Sequence, residues 1–471
     1  MKRFKQAVSK IRSRDSEEST TAIQKSGATP SEDDTSPALW TTGQEFQFYV
    51  PWLWKDSPEP PREKRGLHPD RQIVRITRLT NLPGFTDEFH DAWIQQCVAN
   101  AVKYLVFDKE HYPTCTESEL DQRRKDKTEA WKQFNIVQRQ CNLPKIALPG
   151  YDGVLAVEMT IVIKEAFVSQ DPASASTLLA WRALPTPGKC IERIKNQIQI
   201  HLTPECSMHV HIRPEKMQAF DLLSFKQMAS ILWLAEERLD KLYHPAHSAS
   251  NSAFHHRSLR YHSNLALNHS PILASRDDDH AAVLEFLDSE ATEKKNLGTI
   301  WQAINRHQLR ELLRVHPSIG KHDFAAYNFF NLFMASEKQT IEFRKTESTT
   351  DGEVIDAWIE AFIILAHFCM TSPMEKFQTV LESLAKPQIA YNTWNLLEDI
   401  GCRKTIVDVL KQKAWRQWLA QGPAACPTRT GVDSPGSTRQ NFASRAHFLA
   451  AIRRGTEKFW GMVATGYSYG R

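Results

Sequence analysis

Four segments read as strands, three of them by alternation of apolar and polar residues, which places successive side chains on opposite faces. In Thr42-Gly-Gln-Glu-Phe-Gln-Phe-Tyr-Val50, Gln44, Phe46 and Phe48 share one face, and Glu45, Gln47 and Tyr49 share the other. Glu205 to Ile212 separates Met208, Val210 and Ile212 from His209 and His211. With the residues back to Ile198 it reads as one strand or as two short ones joined. Gly150 to Phe167 is β-rich (Val154, Ala156, Val157, Met159, Ile161, Val162) and is interrupted by Glu158. Thr340 to Thr346 sets Thr340, Glu342, Arg344 and Thr346 against Ile341 and Phe343.

Helical spacing of apolar residues predicts helices over Thr86 to Val106, Ser118 to Lys132, Pro185 to Ile200 and Phe220 to Tyr243. The last of these ends before His244-Pro245, since the residue before a proline is biased away from the α region. Further helices are expected over Ala281 to Leu287, Thr299 to Val315, Glu353 to Cys369, Lys376 to Leu384 and Thr405 to Leu419, with one more beyond Phe442. The fold class that follows is α+β: a curved, mainly antiparallel sheet with strands near 43–50, 154–163, 205–212 and 339–346, helices on its outer face and a helical C-terminal part. Residues 1–38 are read as a disordered, solvated tail, 39–420 as one domain and 421–471 as a loop and helical tail. Pro51 to Pro69, rich in proline and charge, is expected to be a loop and a mobile flap.

Composition narrows the partners. With 59 Lys and Arg against 55 Asp and Glu, the net charge of +4 is slight for 471 residues, so neither nucleic acid nor a membrane surface is expected as a partner. A small molecule is. The eight cysteines contain no Cys-x-x-Cys pair, which excludes a zinc knuckle and a disulfide framework and suits a reducing cytoplasm. The longest apolar run, Ala361 to Met370, is too short to span a bilayer. The basic N-terminus lacks the apolar segment of a secretory signal.

The candidate chemistry sits on the polar strand faces. His209 and His211, two apart, look the same way, and two converging imidazoles can hold a metal, a phosphate or an anionic substrate; they can also merely line a polar sheet face. Glu45 and Glu158 are inward acids. Glu342 and Arg344 either pair with each other or bind a cation and a phosphate respectively. The histidines between His244 and His262 lack the spacing of a zinc site and read as a polar loop. Glu45, Glu158, His209, His211, Glu342 and Arg344 are expected to line one concave face.

Four blocks together resemble the amidoligases common in filamentous fungi, relatives of the glutamine synthetase and glutamate-cysteine ligase group of carboxylate-amine ligases. Gly43-Gln-Glu-Phe-Gln-Phe48 is similar to that family's Gly-x-Glu-x-Glu-Phe strand, and Cys206-Ser-Met-His-Val-His-Ile212 to its Cys-Gly-x-His-Val-His-Val block. Leu232-Trp233, His244-Pro245 and Asn251 continue in register. Tyr327-Asn328, Asn331-Leu332, Thr340-Ile-Glu-Phe-Arg344, Glu347 and Trp358-Ile359 resemble the remaining blocks. The resemblance spans about residues 40 to 400.

That resemblance implies an ATP- and Mg²⁺-dependent ligase that joins a small carboxylate to an amine through an acyl phosphate, in a setting such as secondary metabolism. It implies Glu45, Glu158 and Glu342 as metal ligands, Glu45, His209, His211 and Arg344 as catalytic residues, and Arg344, His211 and Asn328 as contacts to ATP. This chain departs from the family at Gln47 (an acid there), Ser207 (glycine), Lys345-Thr346 (Gln-His) and Ser348 (glycine), and no clear Asp follows Trp131. Two further readings stand beside it: a non-catalytic binding protein that keeps the fold, and a metal hydrolase using His209 and His211. The hydrolase would need repeated βα units, which the helical C-terminal half does not supply. The oligomeric state is open.

Overall fold

The face of apolar side chains that begins at Phe46 and Phe48 needs a partner layer, and the sheet and its helices provide one. A computed structural model describes residues 38–421 except 66–68, 79–86, 107–113, most of 118–134, 139–142, 171–176, 183–184, 216–219, 245–246, 248–256, 268–291, 318–324 and 333–338. Nine strands form one sheet among the described residues: β1 (Ala38–Trp54), β2 (Val74–Ile76), β3 (Thr114–Thr116), β4 (Asn135–Gln138), β5 (Gly153–Gln170), β6 (Thr177–Trp181), β7 (Ser207–Pro214), β8 (Tyr327–Asn328) and β9 (Ile341–Glu347). Their order is β3-β4-β5-β1-β7-β9-β8, with β2 beside β1 and β6 beside β5. Only β1 with β2 and β3 with β4 run parallel. The architecture is the mixed, mainly antiparallel one expected, with helices following at the C-terminal end.

The helices are α1 (Asp87–Val106), α2 (Pro187–Gln197), α3 (Leu222–Leu239), α4 (Leu259–His262), α5 (Thr292–Gln302), α6 (Arg306–Leu313), α7 (Gly352–Thr371), α8 (Met374–Ala385), α9 (Thr393–Asp399) and α10 (Lys404–Gln421). The apolar face of the sheet, including Phe46, Phe48, Met159, Met208, Val210, Ile212, Ile341 and Phe343, is buried in one cluster with Phe225, Met228 and Leu232 of α3 and Ile355, Trp358 and Phe362 of α7. Phe343 stacks on Phe362 with ring centroids 4.1 Å apart. Burying side chains of this size stabilises by about 1.5–3 kcal/mol each. Helix α7 has the length and apolar character to cross a membrane, yet 78% of its most apolar window is buried inside the protein; it is a core helix. Its first turn meets α2 so closely that a Cβ on Gly188 would lie 2.1 Å from the Gly352 carbonyl oxygen. Asp356 of α7 accepts from Thr186 Oγ1 at 2.7 Å and from the Gly188 N–H at 2.9 Å, which ties the two helices together.

Charge is also buried beneath the sheet. Lys345 points away from the polar face, and its Nζ lies 3.0 Å from Glu236 Oε1 and 2.6 Å from Asp240 Oδ1, with the Lys345 and Glu236 side chains fully buried. Glu236 also accepts from Ser258 Oγ and from the N–H groups of Leu259 and Arg260 at the start of α4. Burial would raise the Glu236 carboxyl, but the Lys345 charge and these donors hold it below its ordinary value. Two positions further, buried Glu347 pairs with Lys413 and Gln417 of α10 and accepts from the His244 N–H at 3.0 Å.

Several expectations need correction. Strand β1 does not stop at Val50: Pro51 and Trp52 continue to pair with Val154 and Gly153, so the loop starts after Trp54. Its first part is anchored, because Arg75 donates to the carbonyls of Trp54, Lys55 and Ser57 and to Glu59. Ile198 and His201 make isolated bridges to Gln72 and Tyr49, and β7 starts only at Ser207. The single helix expected over Thr299 to Val315 is two, broken where Asn305 caps α6 by accepting from the Gln308 N–H. Strands β2, β3, β4 and β6 and helix α9 were not expected. Residues 1–37, most of Ser118 to Lys132, Asn251, Ala281 to Leu287 and everything beyond Gln421 lie outside the described residues.

Replacing Lys345 by Met leaves the Glu236 carboxylate buried without its cation. Loss of about 3–5 kcal/mol of stability is expected, read from urea unfolding of Lys345→Met against the wild type.

Candidate acid and histidine site

Register decides what meets on the polar face. Directly opposed residues of neighbouring strands share a face, and β1 sets Glu45 opposite His209 of β7 and Gln47 opposite Glu158 of β5. On β7, His211 is opposite Glu342 of β9, which in turn is opposite Asn328 of β8. Glu45, Glu158, His209, His211, Asn328, Glu342 and Arg344, from five strands and three hundred residues of sequence, are thereby brought to one floor.

Glu342 stands at the centre, 3% exposed. Its Oε1 accepts from Arg344 Nη1 at 2.8 Å and lies 3.4 Å from His209 Nδ1, while Oε2 accepts from Asn328 Nδ2 at 2.8 Å. Glu342 and Arg344 do pair, as one sequence reading had it. Glu45 Oε2 is 3.1 Å from the same His209 Nδ1, and Glu45 Oε1 is 3.4 Å from His211 Nε2. His211 Nδ1 is 3.1 Å from Thr340 Oγ1. Beyond His211 the floor continues to Arg213, whose Nε donates to Thr41 Oγ1 at 3.1 Å. Between Thr41 and Glu45 stands Gly43, where an added Cβ would meet Ile163 Cγ1 at a comfortable 3.8 Å. Packing does not demand glycine there, so its effect is to leave the floor beside His211 bare.

Glu158 stands apart. Its Oε2 accepts from Gln47 Nε2 at 2.9 Å, and Gln47 Oε1 accepts from Ser207 Oγ at 2.8 Å. Ser207 Oγ is also 3.1 Å from His209 Nε2, so Ser207 bridges the amide and the imidazole. Neither Ser207 nor Thr340 was singled out as a site residue, although each lies two positions from one that was, on the same strand face.

Residues 178–365 match the model of a family described as "putative amidoligase enzyme". That segment is similar to the amidoligase family. It contains His209, His211, Asn328, Glu342 and Arg344, whereas Glu45 and Glu158 precede it and complete the floor from β1 and β5. No curated protein and no solved structure matches the chain.

The floor is strongly polarised. Burial would raise the Glu45 carboxyl, but the polar imidazoles of His209 and His211 close beside it hold it well below the ordinary range. Burial likewise works against ionised Glu342, and the charges of His211 and Arg344 outweigh it. Burial and the nearby Arg344 cation push His209 down, toward the neutral imidazole. Ligand atoms of Glu45, His209 and Glu342 lie within 4.8 Å of one another. Two anionic carboxylates and a neutral imidazole form a donor set that one divalent cation fits. Glu158, which the resemblance implies as a metal ligand, is not in this group, and His209 is. An open depression of about 510 Å³ beside β2, lined by Glu59, Arg65, Asp70, Arg71 and Arg75 among others, shares no residue with the floor. Two of its arginines are engaged with one of its own acids: Arg65 and Arg75 pair with Glu59.

Burial, and then the charge of Glu45, push the Glu158 carboxyl up from 4.5 to about 7. A raised folded-state value means that the native state binds the extra proton, so this group's contribution to stability is present below 4.5 and is lost as pH rises through about 7. Glu158→Gln is therefore expected to flatten the stability profile over that window and to melt above the wild type at pH near 8. Thermal melts at acid and alkaline pH check both.

Proposed function

We propose that this chain is an ATP- and Mg²⁺-dependent ligase that forms an amide bond between a small carboxylate and an amine. The observation that carries the reading is the convergence of Glu45, His209 and Glu342 on one point with the Arg344 guanidinium bonded to the same carboxylate, on a floor that includes an amidoligase segment. A carboxylate is a poor electrophile; transfer of the ATP γ-phosphate to it gives an acyl phosphate and releases ADP, and the amine then attacks the acyl carbon and displaces inorganic phosphate. Such transfer is mostly positioning and charge neutralisation.

Glu45, His209 and Glu342 would hold the cation, which when bound neutralises phosphate charge. Arg344 offers a planar fork suited to a phosphate oxygen, and Asn328 fixes Glu342 so that its other oxygen faces the cation position. His211, beside the bare stretch at Gly43, lines the space for the carboxylate substrate. Glu158, pushed up to about 7, has the affinity of a proton acceptor working near neutral pH and takes the proton of the attacking amine. The partners are thus small molecules, with neither nucleic acid nor membrane engaged. The described cysteines are free, in keeping with the reducing cytoplasm we propose for it.

A second reading has one observation in its favour. Gln47 spends its amide N–H on Glu158, and an amide removes a full negative charge from the floor, as a binding protein without turnover would tolerate.

Release of ADP from ATP and Mg²⁺, screened across pairs of carboxylates and amines, tests the ligase reading. Glu342→Gln and Arg344→Ala are expected to lower turnover by about 10²–10³-fold with the circular dichroism spectrum retained. ATP binding without turnover for any pair would favour the binding protein, and stoichiometric zinc in the purified protein would favour a hydrolase.

A further inference from the structure

The hydrogen bonds behind His209 carry a direction. An ionised Glu158 only accepts, so the group of Gln47 that lies 2.9 Å from it is the NH₂; the reverse orientation would then set two acceptor oxygens against each other. The Gln47 carbonyl oxygen then faces Ser207 and takes both its hydroxyl proton at 2.8 Å and its backbone N–H at 3.4 Å. A hydroxyl has one proton to give. Having given it to Gln47, Ser207 Oγ can only accept from His209 Nε2, 3.1 Å away. In the neutral ring one nitrogen carries the proton and the other a lone pair, which leaves the lone pair on Nδ1. That atom faces Glu45 Oε2 at 3.1 Å and Glu342 Oε1 at 3.4 Å. Three acceptors aimed at one point repel one another unless a cation lies between them.

We propose that Gln47 and Ser207 are positioning residues that fix His209 with its proton on Nε2 and its Nδ1 lone pair toward the cation position. The inference rests on the cation reading of this floor and changes the meaning of Gln47. In place of a missing ligand, its amide is the element that reads Glu158 on one side and orders Ser207 on the other. A carboxylate at position 47 could still accept from Ser207 but could not donate to Glu158. Metal-bound histidines commonly have the second ring nitrogen engaged in this way, and removal of such a partner typically weakens metal binding by about 10–100-fold.

The test uses the full chain with ¹⁵N-labelled histidine at pH near 8. The ring signals of His209 are assigned by difference from His209→Gln, and Mn²⁺ is titrated by electron paramagnetic resonance. The expected result is an Nε2–H ring in the wild type and a shift to Nδ1–H in Ser207→Ala and in Gln47→Leu, where Glu45 and Glu342 become the better acceptors. The Mn²⁺ dissociation constant should rise about 10–100-fold in both variants, and Ser207→Thr, which keeps the hydroxyl, should restore both properties. Circular dichroism melts show that each variant is folded. An Nδ1–H ring in the wild type overturns the proposal, as does Mn²⁺ binding by both variants at wild-type strength. A wild type with the Nε2–H ring that takes up no Mn²⁺ overturns the cation reading alone and supports the hydrogen-bond chain.

Discussion

A carboxylate withdrawn from water costs several kcal/mol unless charges and donors surround it, and Glu342 is such a carboxylate. Its neighbours come from three strands. Asn328 on β8 and Arg344 on its own strand hold it by hydrogen bonds, and His209 and His211 on β7 approach it from the other side. None of these can be shifted without stranding the charge, so the register of β7, β8 and β9 is fixed by electrostatics on one face as well as by apolar packing on the other. Glu45 extends the same logic to β1.

Strand β9 carries charge on both sides. Glu342 and Arg344 face the floor while Lys345 and Glu347 point into the helical layer, where Glu236, Asp240 and Lys413 meet them. Helices α3 and α10 are thus attached to the strand that bears the site by ion pairs set within an apolar core. Buried pairs are weak contributors to net stability but costly to break singly. They specify which helix lies behind which strand more than they strengthen the whole.

The alternation of 42–50, 207–212 and 340–346 made the faces legible in the sequence, because a period of two is unambiguous once one face is apolar. Pairing register was not legible. That Glu45 meets His209 while Gln47 meets Glu158 depends on a tertiary alignment that no single strand encodes, and so the three groups whose ligand atoms converge, Glu45, His209 and Glu342, differ from the three acids the resemblance implies. Strands β2, β3, β4 and β6 span three to five residues, too few for alternation to stand out. The break at Asn305 had a signal, Asn followed three positions later by Gln, but the apolar spacing across it masked that cap.

Strand β1 lies between β5 and β7 and is hydrogen-bonded along both edges, yet it lies more than a hundred residues ahead of the segment that matches the amidoligase family. Cut away at its own boundaries, residues 178–365 would expose β7 as a raw edge with Met208, Val210 and Ile212 half uncovered, a template for pairing with other chains. In this chain the matched segment therefore depends on β1. The two parts share one ladder of hydrogen bonds, and the sequence of each is constrained by the other.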